Sequence, residues 1–156
     1  MTNTQLTTGI NHVAIMTEDL DRFVGFYTEV FGAEVVFTDT NPHFRHAILR
    51  VGGVSVLHPV QRPDGGHGRA SDAMLDRGHL DHLALDVPSR EAFDELRARL
   101  VARGASDGAV TDLGPKISFW FTDPDGMRGE IDWVQDPSLA GFHDPVPVPA
   151  SRPVSP

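Results

Sequence analysis

Ile10-Asn11-His12-Val13-Ala14-Ile15 returns 70 residues later as Leu80-Asp81-His82-Leu83-Ala84-Leu85. Each copy puts a histidine at the same point of a short apolar run, and each run leads into an amphipathic helical pattern. A third stretch, Gly129-Glu130-Ile131-Asp132-Trp133, ends the second copy with a carboxylate. Two histidines and one glutamate on duplicated strands point to a metal site built between two halves.

Working outward, residues 10–16 read as a strand, and Thr17, Glu18 and Asp19 supply helix-start chemistry. Leu20, Phe23, Val24, Tyr27, Val30 and Phe31 then recur at helical spacing, and Gly32 can end the helix in the left-handed conformation. Strand-like runs follow at Glu34–Thr38, Phe44–Val51 and Val54–Pro59, with Gly52-Gly53 as a turn. The second copy repeats the plan. Leu80–Val87 is a strand, Ser89 an N-cap, and Phe93, Leu96, Leu100 and Val101 match Phe23, Phe26, Val30 and Phe31; Gly104 stops the helix. Ala109-Val110, Ile117–Thr122 and Gly129–Val134 are the remaining strands, with Asp125-Gly126 as a hairpin turn. The expected fold is α+β: two βαβββ modules, paired ferredoxin-like repeats forming a curved sheet around a metal-containing cavity. Within one domain, 1–156, the modules are 9–60 and 79–135, joined by a connector at 61–78 and followed by a Pro-rich tail at 136–156 that is expected to be extended and poorly ordered.

Composition narrows the function. A net charge of -9 argues against a nucleic-acid backbone as partner. No apolar run approaches the ~20 residues of a membrane span, so no membrane partner is expected. The opening Met-Thr-Asn-Thr-Gln has neither a basic nor an apolar leader region. Cysteine is absent, which excludes thiolate ligands and a cysteine nucleophile and fits a cytoplasmic setting. Eight histidines in 156 residues are the one compositional sign of chemistry.

A module with one helix covers one sheet face and leaves the other bare. Strand side chains alternate, so His12, Ala14 and Met16 share one face while Val13 and Ile15 share the other. The histidine face is expected to line the cavity, as are His82, Ala84, Asp86, Glu130 and Asp132 in the second module. Two imidazoles and a carboxylate with open positions suit Fe(II), Mn(II) or a similar divalent ion. His12, His82 and Glu130 are therefore the candidate metal ligands; the alternative is that each histidine is a hydrogen-bonded core residue.

The duplication together with "NHVAI", "DHLAL" and "DPDGMRGEIDW" resembles the vicinal oxygen chelate superfamily, over residues 9–135. That superfamily includes glyoxalase I, methylmalonyl-CoA epimerase, extradiol ring-cleaving dioxygenases, fosfomycin-resistance transferases and bleomycin-binding proteins. Glyoxalases and the epimerase usually carry a fourth ligand, Glu, Gln or His, on the last strand of the first module. Aligning Val54-Ser55-Val56-Leu57 with Gly129-Glu130-Ile131-Asp132 puts Ser55 there, and serine is a poor ligand. His58, three residues on, is then expected to face the other side of the strand; "VLHPV" nevertheless resembles a stretch of the epimerase, and a shifted register would bring His58 into that place.

Three ligands without the fourth resemble the extradiol dioxygenases and the fosfomycin transferases. Phe44-Arg45-His46-Ala47-Ile48-Leu49 resembles the dioxygenase strand that bears an acid–base histidine, so the resemblance makes His46 the candidate catalytic residue. The alternative for His46 is an exposed strand-end histidine. Trp120 stands where those enzymes usually carry a tyrosine, and an indole cannot exchange a proton at useful pH. Trp120, Arg50 and Ser55 are the candidate substrate contacts. The resemblance implies a metal-dependent enzyme acting on a small molecule, first a catechol-cleaving dioxygenase with Fe(II), with Mn, Ni, Co or Zn as other metals, and a homodimer. The other readings are a glyoxalase- or epimerase-type lyase or isomerase, a thiol-transferring resistance enzyme, and a non-catalytic drug- or metabolite-binding protein. Tyr27 and Trp133 are read as packing residues, His43 and His67 as exposed, His79 as a surface residue beside the second strand, and His143 as part of the tail.

Overall fold

Asp19 has extended backbone, and its carboxylate accepts a hydrogen bond from the Arg22 N–H, so the first helix starts where its side-chain chemistry allows. In this computed structural model, which describes residues 11–53, 55–64, 80–139 and 145–149, that helix is α1 (Leu20–Phe31). Gly32, at φ 66, closes it by donating to Thr28 and Tyr27 carbonyls. The chain divides into two units, residues 1–68 and 69–156.

The first unit runs β1 (Val13–Met16), α1, β2 (Glu34–Thr40), β3 (Arg45–Val51) and β4 (Ser55–Gln61). Its sheet has the order β1-β4-β3-β2, with β1 parallel to β4 and the other pairs antiparallel. The helix lays Leu20, Phe23, Tyr27 and Val30 on Ala47, Leu49, Val51 and Leu57, all buried. Tyr27 stacks between Phe23 and Phe31 at ring separations of 4.6 and 5.4 Å, so it is a packing residue as expected. Alternation leaves Ala14 and Met16 of β1 exposed and His46, Ile48 and Arg50 of β3 half-buried on the opposite face.

The second unit runs β5 (Leu83–Asp86), α2 (Arg90–Ala102), β6 (Val110–Asp112), β7 (Lys116–Thr122), β8 (Arg128–Val134) and β9 (Val146–Val148). Ser89 caps α2 by accepting from the Ala92 N–H. The sheet order is β5-β8-β7-β6-β9, with β5 parallel to β8. Phe93 and Leu100 of α2 are buried with Ile117, Phe119, Phe121 and Ile131, and Arg90 lies over the Trp133 ring, which places Trp133 on the helix side. The first unit is βαβββ, the second is βαβββ with β9 added at the edge of its sheet, and the fold is α+β. Among the described residues, no helix is long and apolar enough to cross a membrane.

Two expectations are corrected. Residues 146–148 are extended, as expected of the tail, but not poorly ordered: they pair antiparallel with β6, Pro147 opposite Thr111. Proline tolerates this place because an edge strand can turn the position of its missing N–H outward. The second correction is the register of β4. Ala14 pairs with His58 in the first sheet, and Ala84 with Glu130 in the second. His58, not Ser55, is therefore the internal equivalent of Glu130. The first unit has two fewer residues between its paired strands than the second, whereas matching Ser55 to Glu130 makes it five residues shorter. His58 shares the bare face with Val56 and Val60, while exposed Ser55 alternates with buried Leu57 and Pro59.

Gly129 sits opposite Phe121 in the ladder, and a Cβ built on it falls 2.0 Å from the Phe121 ring. Phe121 is buried at 3 % exposure and has little room to withdraw. Gly129→Ala is expected to cost about 1–3 kcal/mol, the range for overpacking, in urea unfolding of the full chain. An unchanged midpoint would show that the Phe121 ring does not lie over the glycine.

Candidate functional site

In the first unit the bare face carries three histidines. His46 lies opposite Val60 in the β3–β4 ladder, which makes His58 its diagonal neighbour on the same face. The ring nitrogens His46 Nδ1 and His58 Nε2 are 2.8 Å apart and share a hydrogen bond. His12, just ahead of β1, meets the His58 ring edge-on at 5.4 Å. Phe37 and Phe44 flank His46 at 5.6 and 5.2 Å. The Asp39 carboxylate stands 3.9 Å from His46 Nε2 and favours a proton there. His46 Nδ1 then accepts, His58 Nε2 donates, and the His58 lone pair is left at Nδ1. Partial burial, then the neighbouring His46 and His12 rings, lower the pKa of His58 from 6.5.

In the second unit His82 Nε2 lies 3.5 Å from a Glu130 carboxylate oxygen, and Glu130 is buried at 6 % exposure. Glu130 pairs with Trp120 across β7, and the Trp120 ring meets His82 edge-on at 4.9 Å. These groups open on a cleft of about 520 Å³, also lined by Ala84, Thr111, Leu113, Lys116, Ser118 and Pro145. Deeper on the same face, Asp132 forms an ion pair with Lys116 and is buried at 4 %. Its pKa is raised: burial is the leading cause, and Glu130 and Asp86 add to it against the pull of Lys116.

A detail of the repeat bears on ligation. His12 Nδ1 lies 2.8 Å from the side-chain oxygen of Asn11, and His82 Nδ1 lies 2.7 Å from that of Asp81. Donation from Nδ1 to these oxygens leaves each lone pair at Nε2, the arrangement that orients histidine ligands in metal sites. Neutral imidazole nitrogens and the Glu130 carboxylate are a donor set suited to a divalent ion. Within either unit taken alone, the described residues hold no group of three His, Asp or Glu placed around one ion. Each unit offers a pair: His12 with His58, and His82 with Glu130.

The profile of the Glyoxalase/Bleomycin resistance protein/Dioxygenase superfamily matches residues 9–131. The chain belongs to this superfamily. It is 30% identical, over 92% of its own length and 88% of the relative's, to a 2-epi-5-epi-valiolone epimerase from an Actinomyces species. It is 29% identical over 80% of its length, and 92% of the relative's, to lactoylglutathione lyase of Salmonella typhimurium. Among solved structures, a glyoxylase/bleomycin resistance protein/dioxygenase domain from a Frankia species superposes with a TM-score of 0.70 at 24% identity, covering 84% of this chain and 95% of that one.

The residues expected from the sequence are spread over both units. His82, Glu130 and Trp120 meet at one cleft. His46 is half-buried and bonded to His58 rather than free at a strand end. Arg50 shares the His46 face by alternation and is ion-paired with Glu34. Ser55 is exposed and off the histidine face. His43 is exposed as expected; His67, His79 and His143 lie outside the described residues. Sequence reasoning set His58 on the other side of its strand, with a shifted register as the alternative, and missed Lys116. The first needed a two-residue gap in the repeat. The second was legible in the alternation Lys116, Ser118, Trp120, which shares the Glu130 face.

The lowered pKa of His58 has a testable consequence in metal-free protein. The folded chain resists protonation of this ring, while the unfolded chain accepts it near 6.5. The His58 contribution to stability is thus present above about pH 6.5 and is lost as pH falls through the unfolded value towards the lower folded one. NMR titration of the imidazole Cε1–H resonances should give His58 a midpoint below 6.5. A midpoint at or above it would contradict the packing of the three rings.

Proposed function

We propose that the protein is a divalent-metal-dependent isomerase or epimerase, related to the lyases of its superfamily. Its substrate is a small carbonyl compound with a second oxygen on the neighbouring carbon. The observation that carries this reading is the pairing of His58 with Ala14, in the place that Glu130 holds beside Ala84. It raises the candidate ligand set from His12, His82 and Glu130 to four, by adding His58. The ring-cleaving reading drew on a three-ligand count that depended on Ser55 standing in that place, and the register removes that basis. The epimerase and lactoylglutathione lyase relatives point the same way.

The candidate donors for a divalent ion are His12 and His58 in the first unit and His82 and Glu130 in the second. When bound, the ion supplies Lewis-acid polarisation and a template for two adjacent oxygens. The chain's own residues do the proton chemistry. Inverting a carbon beside a carbonyl requires a proton to leave from one side and return on the other, and this needs two proton-active groups. Glu130 and His58 are such groups at equivalent positions, one in each unit. The Glu130 carboxyl is buried at 6 % exposure beside His82. His58, held neutral by burial and by its neighbours, has one lone pair, at Nδ1, and accepts a proton near pH 7 only while that lone pair is not donated to the ion. His46, hydrogen-bonded to His58, holds that ring in orientation. Trp120 walls the cleft beside His82 and excludes water from that side.

Protein purified without chelator and analysed for metals should contain about one divalent ion per chain. Glu130→Ala and His58→Ala should each lower that content while Ser55→Ala leaves it unchanged, since loss of an anionic or imidazole donor weakens binding and loss of an exposed hydroxyl does not. In deuterated buffer, the metal-loaded protein should exchange the carbon-bound proton of small α-hydroxy ketones, read by NMR. Oxygen uptake with catechols, combined with full metal content in His58→Ala, would overturn the reading in favour of ring cleavage.

A further inference from the structure

The cleft of the second unit has a polar pole that the His82–Glu130 pair leaves unused. Asp132 lies two residues beyond Glu130 on the same face of β8, about 6–7 Å along the strand. Its side chain is 5 % exposed and ion-paired with Lys116. Among the described residues, its Oδ1 is the buried side-chain atom without a hydrogen-bond partner. Lys116 itself lines the cleft, with Thr111 and Ser118 beside it. A buried ion pair is on average no more stabilising than apolar residues of the same volume, and an unpartnered carboxylate oxygen is costly. Stability therefore does not account for this pair, whereas its position at a cleft wall does.

We infer that Lys116, held at the cleft by Asp132, recognises a neutral hydroxyl group of the substrate, and that the substrate is a polyhydroxylated carbonyl compound. This rests on the reading of His82 and Glu130 as the reacting pole. The recognised hydroxyl stands about 6–7 Å from that pole, the spacing of alternate residues on β8, which is the span of a six-membered ring or a short sugar-like chain. Charge decides between a hydroxyl and an anionic group. Asp132, the carboxylate paired with Lys116, itself lies within the influence of the Glu130 and Asp86 carboxylates, and the chain carries a net charge of -9. An anion would meet several carboxylates against one ammonium. A hydroxyl instead accepts from the ammonium and donates to an oxygen acceptor, and the Thr111 and Ser118 side chains extend the same chemistry along the cleft. The Trp120 ring offers an apolar wall for the C–H face of such a ring.

The test compares binding of three probes to the full chain by calorimetry. These are a ring ketone with hydroxyls all round (myo-2-inosose), the same ring with only the adjacent hydroxyl (2-hydroxycyclohexanone), and an anionic ring ketone (4-oxocyclohexanecarboxylate). The wild type should bind the inosose about 10-fold or more tightly over 2-hydroxycyclohexanone, the size expected for hydrogen bonds to charged groups. Lys116→Met with Asp132→Leu removes the pair together and strands no buried charge. It should shrink the preference to within about twofold and leave 2-hydroxycyclohexanone unaffected. Lys116→Gln with Asp132→Asn, which keeps the volume, should do the same and serves if the first variant does not fold. A preference that survives in the folded variant, tighter binding of the anionic probe, or no inosose binding to wild type each overturns the assignment. Both ring ketones share the carbonyl and its neighbouring oxygen, so their ratio is read in metal-loaded and metal-stripped protein alike. Failure to take up metal removes the isomerase reading alone, and the ratio still decides the subsite.

Discussion

Parallel pairing of the first strand with the last, β1 with β4 and β5 with β8, is the constraint on which the candidate site depends. A parallel pair has no hairpin of its own to set its register, so the helix and the two antiparallel strands that intervene must together deliver the last strand at the right height. Once Ala14 is opposite His58 and Ala84 opposite Glu130, alternation does the rest. His12 and His58 fall on one face of their sheet, His82 and Glu130 on one face of theirs, and the apolar residues between them turn to the helix. A slip of one residue at β4 would exchange His58 for Leu57, moving a buried apolar side chain to the bare face and an imidazole into the core. The hydrophobic packing under α1 thus protects the position of a polar residue on the other side of the sheet.

Neighbouring groups also set the proton state of the site. Asn11 and Asp81 hold the Nδ1 atoms of His12 and His82, and Asp39 acts on His58 through His46. A neutral imidazole has one lone pair, and whichever nitrogen engages a neighbour leaves the other to act. The two units reach this state by different means: His12 and His82 through the residue just before them, His58 through a ring on the adjacent strand. Asp132 shows the opposite situation. Its carboxylate sits in a buried place in an ion pair with Lys116, and that tension is set beside a cleft.

The superfamily is a setting in which the same fold serves many reactions, and membership alone does not choose among them. What separates the readings here is the group at the last strand of the first unit. A hydroxyl there would leave a three-donor set. An imidazole facing His12 gives the first unit a second candidate donor. The choice of reaction class turns on that one register.

Much of this was legible in the residues themselves. The 70-residue repeat determined the two βαβββ units, because a histidine-marked strand followed by the spacing Phe23, Phe26, Val30, Phe31 recurs as Phe93, Leu96, Leu100, Val101. The caps Asp19 and Ser89 and the stop at Gly32 could be read directly, since they depend on local hydrogen bonding and on one left-handed residue. The candidate ligands His12, His82 and Glu130 were visible for the same reason, and the matching oxygens of Asn11 and Asp81 could have been. Only the tertiary structure decided the place of His58, the Lys116–Asp132 pair and the pairing of Val146–Val148 with β6. Each of these joins segments distant in sequence, and their register is set by the length of the intervening chain and the packing beneath it, which a local pattern does not encode.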